Sequence, residues 1–199
     1  MLTDLSDESL MLRYCAGDIL AFKELYRRHS VNLYRFIAWR APRQDWVEEI
    51  TQDSWTSLHR ARSTYQPQAS FRTYLYQIAR NRLIDLLRQH NALLAGDLGQ
   101  NDQGDELFEH LADQTQDQLS PEAELMKKQQ IVGLHAAIQA LPGEQKEAII
   151  LQQFNDMSLE EIAQLSDVPV ETVKSRLRYA MRKLRLNLVE PAATREELA

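Results

Sequence analysis

Near the C-terminal end of this 199-residue chain, Ser175, Arg178, Arg182 and Arg185 share one arc of a helical repeat, with Lys174 and Tyr179 at its margins. Between Glu171 and Asn187 stand six Lys or Arg and one acid, a local net charge of +5. Cations so placed neutralise phosphates, Lys and Arg can also read guanine edges, and Ser is permissive. On the opposite arc, Val173, Leu177, Ala180 and Leu184 face inward, so a small core holds the basic face outward. Upstream, Ser158 and Glu161 have the spacing of a capping box. Asp167 to Pro169 then make a turn, because proline cannot continue the first helix and biases Val168 towards an extended backbone. A capped short helix, a tight turn and a basic second helix form a helix-turn-helix, which fits a DNA major groove. A merely solvated amphipathic helix would not require the turn, the cap and the shared core together.

A second cluster lies between Ser70 and Arg88. Phe71, Leu75, Ile78 and Ala79 define an inward face; Thr73, Tyr76, Gln77 and Arg80 fall on the other side, flanked by Tyr74 and Asn81. Aromatic rings stack on exposed bases while guanidinium groups hold phosphates, so the segment suits single-stranded DNA. Composition alone fits an ordinary helix with core aromatics equally well. A third cluster is acidic: Glu48, Glu49 and Asp53 stand near Gln52, opposite an apolar face of Val47, Ile50, Ser54 and Leu58. Such a surface suits a basic partner.

The elements that must position these clusters are helical. Six Gly, six Pro and few alternating β-branched runs predict an all-α fold. Helices are expected over Ser6–Ala16, Ala21–Trp39, Asp45–Ala61 and Phe71 to about Arg88, with a polar loop at Ser63–Ser70. From Asn91 to Met126 there are nine acids and no Lys or Arg; removing those nine from the net charge of −6 leaves +3 elsewhere. That stretch reads as a flexible acidic linker of too little apolar content to fold alone, apart from Leu107, Phe108 and Leu111. Helix restarts at Ser120 and Pro121 and runs to Leu141. The expected organisation is two small helical domains, residues 1–90 and 120–190, with the linker at 91–119 and a tail at 191–199.

Composition also excludes function classes. The single cysteine, Cys15, permits neither an intramolecular disulfide nor a Cys-cluster zinc site. His29, His59, His90, His110 and His135 lack metal-ligand spacing, and no nucleophile arrangement or phosphate loop is present, so neither enzyme activity nor a cofactor is expected. No apolar run approaches the roughly 20 residues of a membrane span, and the N-terminus lacks signal-peptide features. A cytoplasmic protein without membrane insertion is expected.

The three clusters, in this order, resemble the extracytoplasmic-function (ECF) sigma factors of the bacterial sigma-70 family. The likeness covers roughly Leu10 to Arg88 and Glu122 to Leu186. It implies a promoter-specificity subunit of RNA polymerase, with a sigma-2 domain that binds the polymerase clamp and melts the −10 element. A sigma-4 domain would bind the −35 duplex and dock on the flap. Matched position by position, Glu48, Glu49, Ile50, Gln52 and Asp53 correspond to the clamp-binding stretch. The loop Ser63–Ser70 with Ser70, Arg72, Tyr74, Tyr76, Gln77, Arg80 and Asn81 corresponds to the −10 region. Tyr74 stands where many relatives have tryptophan. Lys174, Ser175, Arg176, Arg178, Tyr179 and Arg182 correspond to the −35 region, with Arg176 and Arg182 on phosphates. The resemblance further implies a linker in the polymerase channel, a role in envelope or stress response and control by an anti-sigma factor. The acidic linker itself could screen the basic helices in the free protein. A polymerase-independent helix-turn-helix regulator is the alternative, but it would need neither the Phe71–Arg88 segment nor the acidic helix.

Overall fold

Local side-chain caps start the first two helices. The computed structural model describes the backbone of residues 2–94 and 121–196 and the side chains of 2–90, 126 and 129–188. The expected linker from residue 95 to 120, with Leu107, Phe108 and Leu111, lies outside the described residues. After a 3-10 turn at Leu2–Asp4, helix α1 spans Asp7–Cys15, where Ser6 Oγ accepts the Ser9 N–H at 3.2 Å. Gly17 follows at φ +100°, a backbone that side chains rarely tolerate, and reverses the chain. Asp18 then caps α2, Ile19–Ala38, by accepting the Leu20 and Ala21 N–H groups. Helix α3 is Gln44–Ala61, a 3-10 turn occupies Arg62–Thr64, and α4 runs Phe71–Leu94. The sequence placed the end of α4 at about Arg88. Ala92, Leu93 and Leu94 are good helix formers and no breaker precedes Gly96, so helix persists into the stretch assigned to the linker.

These four helices enclose one core. Leu10 and Met11 from α1, Leu25, Leu33, Phe36 and Ile37 from α2, Val47, Ile50 and Leu58 from α3, and Phe71, Leu75 and Leu83 from α4 are all fully buried. Arg28 braces the N-terminus over that core, with Nη1 on Asp7 at 2.8 Å and Nη2 on the Thr3 carbonyl at 2.8 Å. Burial pushes the Asp7 carboxyl up, but His29 and Arg28 bring it below its ordinary value on balance.

The C-terminal unit comprises α5 (Pro121–Gln139), α6 (Gly143–Ile149), α7 (Leu159–Ser166) and α8 (Val170–Glu196). A π-helical turn, Ile150–Phe154, extends α6. Its core joins Ile138 and Leu141 to Ile149, Ile150, Leu151, Ile162 and Leu165, and to the inward arc Val173, Leu177, Ala180 and Leu184 of α8. The described residues contain no strand, as the all-α reading expects.

The two units meet. The π turn and α7 rest on the end of α2 and the first half of α4. Trp39, 4% exposed, lies 4.7 Å from the Phe154 ring and 5.2 Å from the His135 ring, and its carbonyl accepts Gln139 Nε2 at 3.0 Å. This seam decides the environment of the central cluster of candidate residues.

Candidate nucleic-acid interface

Helix α8 is held outward by its own turn. Ser158 Oγ accepts the Glu161 N–H at 3.1 Å while Glu161 Oε2 accepts the Ser158 N–H at 2.9 Å, completing the capping box. Asp167 ends α7 in the left-handed region at φ 54°, and Pro169 opens α8 by accepting the Thr172 and Val173 N–H groups. Lys174, Arg178, Tyr179, Arg182 and Arg185 are exposed, as the helical spacing predicts, and Lys183 is exposed beside them. Arg178 stacks over the Tyr179 ring at 5.3 Å, and Lys174 pairs with Glu171 at 2.7 Å. Ser175 is half-buried. Arg176 turns away from the basic arc: its side chain is 18% exposed and pairs with Glu144 at the start of α6 at 2.7 Å. This arginine braces α8 against α6, in a position that the spacing did not reveal.

On α3, Glu48, Glu49 and Gln52 are exposed and Asp53 is half-buried. Ile50 is fully buried, so it packs the core beneath that surface and cannot itself touch a partner. Arg82 of α4 reaches across to Glu49 at 2.7 Å and Asp53 at 2.9 Å. The acidic face is therefore pre-oriented by a partly exposed cation, a residue the sequence reading left out.

Helix α4 departs most from expectation. Ser70 Oγ accepts the Thr73 N–H at 3.2 Å, and Glu8 Oε1 accepts the Phe71 N–H at 2.8 Å. Helical spacing puts Thr73 and Tyr76 on the outward side, yet both are 1% exposed. Tyr76 packs 5.0 Å from Phe36, and its hydroxyl donates to Asn155 Oδ1 at 2.7 Å. Burial raises the Tyr76 pKa, which keeps it a protonated donor. Ile78, placed inward, is only half-buried. The reason is the second unit: α4 is covered on two sides, so the polar arc of an isolated amphipathic helix becomes an interface.

The arginines of α4 follow suit. Arg72 donates to Glu161 Oε2 at 2.6 Å and to the Asn155 carbonyl at 3.1 Å, while Ser70 Oγ donates to Glu161 Oε1 at 2.9 Å. Arg80 Nε and Arg40 Nη1 both donate to Glu147 Oε1 at 2.7 Å. Burial lowers the pKa of Arg40, and the Glu147 charge opposes that. For Glu161, burial raises the pKa, but the Ser158 amide, Arg72 and Ser70 outweigh it and the carboxyl stays below its ordinary value. Gln77 and Asn81 remain exposed, and Tyr74 is half-buried against Tyr65 at 5.3 Å, beside the polar loop.

Helix α8 thus presents an exposed cationic face, while α4 exposes Gln77 and Asn81 and holds Arg72 and Arg80 in ion pairs. Among the described residues no cluster of His, Cys, Asp or Glu could hold a metal, and no helix is long and apolar enough to cross a membrane. Residues 25–92 match the family model for sigma-70 region 2, and residues 131–184 match that for sigma-70 region 4. The chain belongs to the sigma-70 family, in its ECF branch. It is similar over almost its whole length to curated relatives. The ECF RNA polymerase sigma-E factor of Haemophilus influenzae is 28% identical, with 96% of this chain and 99% of that protein covered. The ECF RNA polymerase sigma factor SigM of Mycobacterium tuberculosis is 27% identical, with 90% and 83% covered.

Two solved structures share the fold. CnrH, in complex with the cytosolic domain of CnrY, superimposes with a TM-score of 0.65 at 22% identity, covering 92% of this chain and 96% of that one. The sigma factor RpoE in complex with the anti-sigma factor NepR, from Bartonella quintana, gives 0.64 at 19% identity, covering 84% and 96%. As a sigma factor this protein is a DNA-binding initiation factor of RNA polymerase and not an enzyme. Arg40, Glu147, Asn155 and Glu161 were missed as functional candidates. Glu161 was legible only as a cap, and the others carried no local signal.

Proposed function

We infer that this sigma factor grips promoters at two points while an acidic face holds it to core polymerase. Residues 1–90 form the core-binding and −10 domain, 91–119 the linker, 120–190 the −35 domain and 191–199 a tail. The observation that supports this reading best is the exposed cationic arc of α8, set on a buried apolar arc. Lys174, Ser175, Arg178 and Tyr179 read the −35 duplex, and Arg182 contacts phosphate. Arg176 supports the helix through Glu144. On α4, Tyr74, Gln77 and Asn81 meet the −10 strand next to the Ser63–Ser70 loop, which captures an unstacked base. Arg72, Tyr76 and Arg80 join them only when the α7 unit is withdrawn. Glu48, Glu49, Gln52 and Asp53 engage the polymerase clamp, positioned by Ile50 from beneath.

The factor acts in the cytoplasm, in an envelope or stress response, under an anti-sigma factor of the kind that the RpoE complex contains. The decisive experiment adds the purified chain to core polymerase and reads initiation on a promoter library. Failure to bind core ends this reading. Replacing Glu49 and Asp53 by their amides should weaken core binding, whereas Arg178→Ala should impair upstream-duplex use and leave core binding intact.

A further inference from the structure

Two acids on the exposed side of α3 share one arginine that comes from a different helix. Glu49 and Asp53 are four residues apart, a helical spacing at which like charges repel and push the side chains away from each other. Arg82 of α4 spans them with one edge of its guanidinium group. Its Nη2 donates to Glu49 Oε1 at 2.7 Å and its Nε to Asp53 Oδ2 at 2.9 Å. A planar fork reaches two carboxylates in one fixed geometry, which the point charge of a lysine does not. The arginine side chain is 34% exposed against 47% for Glu49 and 45% for Asp53, so the cation is more covered than the acids it ties. Glu49 Oε2 and Asp53 Oδ1 lie outside the tie, and each carboxylate keeps an oxygen for a second donor.

We propose that Arg82 is a positioning residue for core polymerase: it holds Glu49 and Asp53 as one preformed acidic pair whose outer oxygens receive cationic side chains of the clamp. This rests on the assignment of that face to the clamp. Ion pairs this exposed add little to folding, so stability of the fold does not account for the bridge. What the bridge changes is freedom. Two mobile carboxylates are held side by side before the partner arrives, and the entropy of fixing them is not lost on binding. Positioning and simple electrostatics then differ in sign. Taking a cation away makes an acidic face more negative and more attractive to a basic partner. Taking away a positioning cation instead frees two repelling carboxylates, and binding weakens.

The test is the affinity of the full-length factor for core polymerase at one fixed salt concentration. Arg82→Met keeps an unbranched apolar stem and good helix propensity but has no donor. It should bind about fivefold more weakly, the scale of immobilising one long side chain. Arg82→Lys keeps the charge and loses the fork, and should fall between Arg82→Met and the parent. With Glu49→Gln and Asp53→Asn already in place, Arg82→Met should change nothing further, because no pair remains to be positioned. Thermal melting of the free factor by circular dichroism should be close to that of the parent; if Arg82→Met does not fold, Arg82→Lys decides, and parental affinity there counts against the fork. Equal or tighter binding by folded Arg82→Met overturns the proposal. An undiminished loss in the background without the two acids overturns it too, since the arginine would then touch polymerase itself. The variant carrying only Glu49→Gln and Asp53→Asn judges the surface: parental affinity in that variant ends the clamp assignment and this role with it. Weakened binding there, with Arg82→Met at parental affinity, ends the positioning role alone.

Discussion

Glu147→Gln should be the most damaging single change in the seam. The carboxylate is 6% exposed and receives two arginine donors at 2.7 Å each. A hydrogen bond to a charged group contributes about 1.5–3 kcal/mol. Breaking a buried ion pair costs about 3–5 kcal/mol, because the abandoned charge stays desolvated. Here the substitution leaves Arg40 and Arg80 facing each other without their anion. Lys146 is nearby, and its own pKa is lowered by burial and by the Arg40 charge. The chain has an escape, since separating the units returns Arg80 to water. The loss in seam stability should then be about 3 kcal/mol, at the lower end of the range. Urea unfolding followed by helix ellipticity and by tryptophan fluorescence measures it, because Trp39 sits in the seam while most helical hydrogen bonds do not. The parent should unfold with coincident transitions, and the variant should lose part of its fluorescence change well before its helix. Coincident curves with a stability change below about 0.5 kcal/mol, the usual scale of a surface substitution, would refute the burial of this carboxylate between two guanidinium groups. Replacing Arg40, Arg80 and Glu147 together by leucine should recover much of the loss, as buried ion clusters often tolerate apolar exchange.

Three further outcomes are expected. Ser158→Ala should destabilise the C-terminal unit by about 1 kcal/mol, the usual scale of a lost N-cap, seen as earlier hydrogen exchange in α7 with the α1–α4 core unaffected. Arg178→Ala should weaken −35 duplex binding by holoenzyme; if the residue contacts phosphate only, the loss is sequence-independent and the salt slope falls by about 1. Asp7 has a pKa held below 3.8, so its pairing with Arg28 and His29 stabilises the fold above that value and is lost as pH falls through the lowered one. Acid titration below about pH 4 should therefore cost the parent more stability than Asp7→Asn, as read by thermal melting at each pH.

Much of the helical frame was legible because its causes are local. The Ser158 cap acts over three residues, and the apolar arcs of α3 and α8 repeat every turn. Val47, Ile50, Ser54 and Leu58 are all buried as their spacing demands, and so are Val173, Leu177, Ala180 and Leu184. Helix α4 misled for the same reason. Its pattern reports polarity and spacing, and a buried Tyr76 with a satisfied hydroxyl has the same pattern as an exposed one. Arg176 lies off the basic arc and pairs with an acid on another helix, a contact that spacing along α8 does not encode.

Sequence alone determined the helices, the helix-turn-helix and its cationic face, and the order of motifs that identified an ECF sigma factor. Each is set by neighbours three or four positions apart or by a run of residues read in order. Only the tertiary structure decided which of those charged groups are occupied. Arg40 and Glu147 are 107 residues apart, Arg72 and Glu161 are 89 apart, and Arg80 and Glu147 are 67 apart. No periodicity spans such distances. An ion pair carries no directional signature along a chain, so its partners emerge only when packing brings two units into contact.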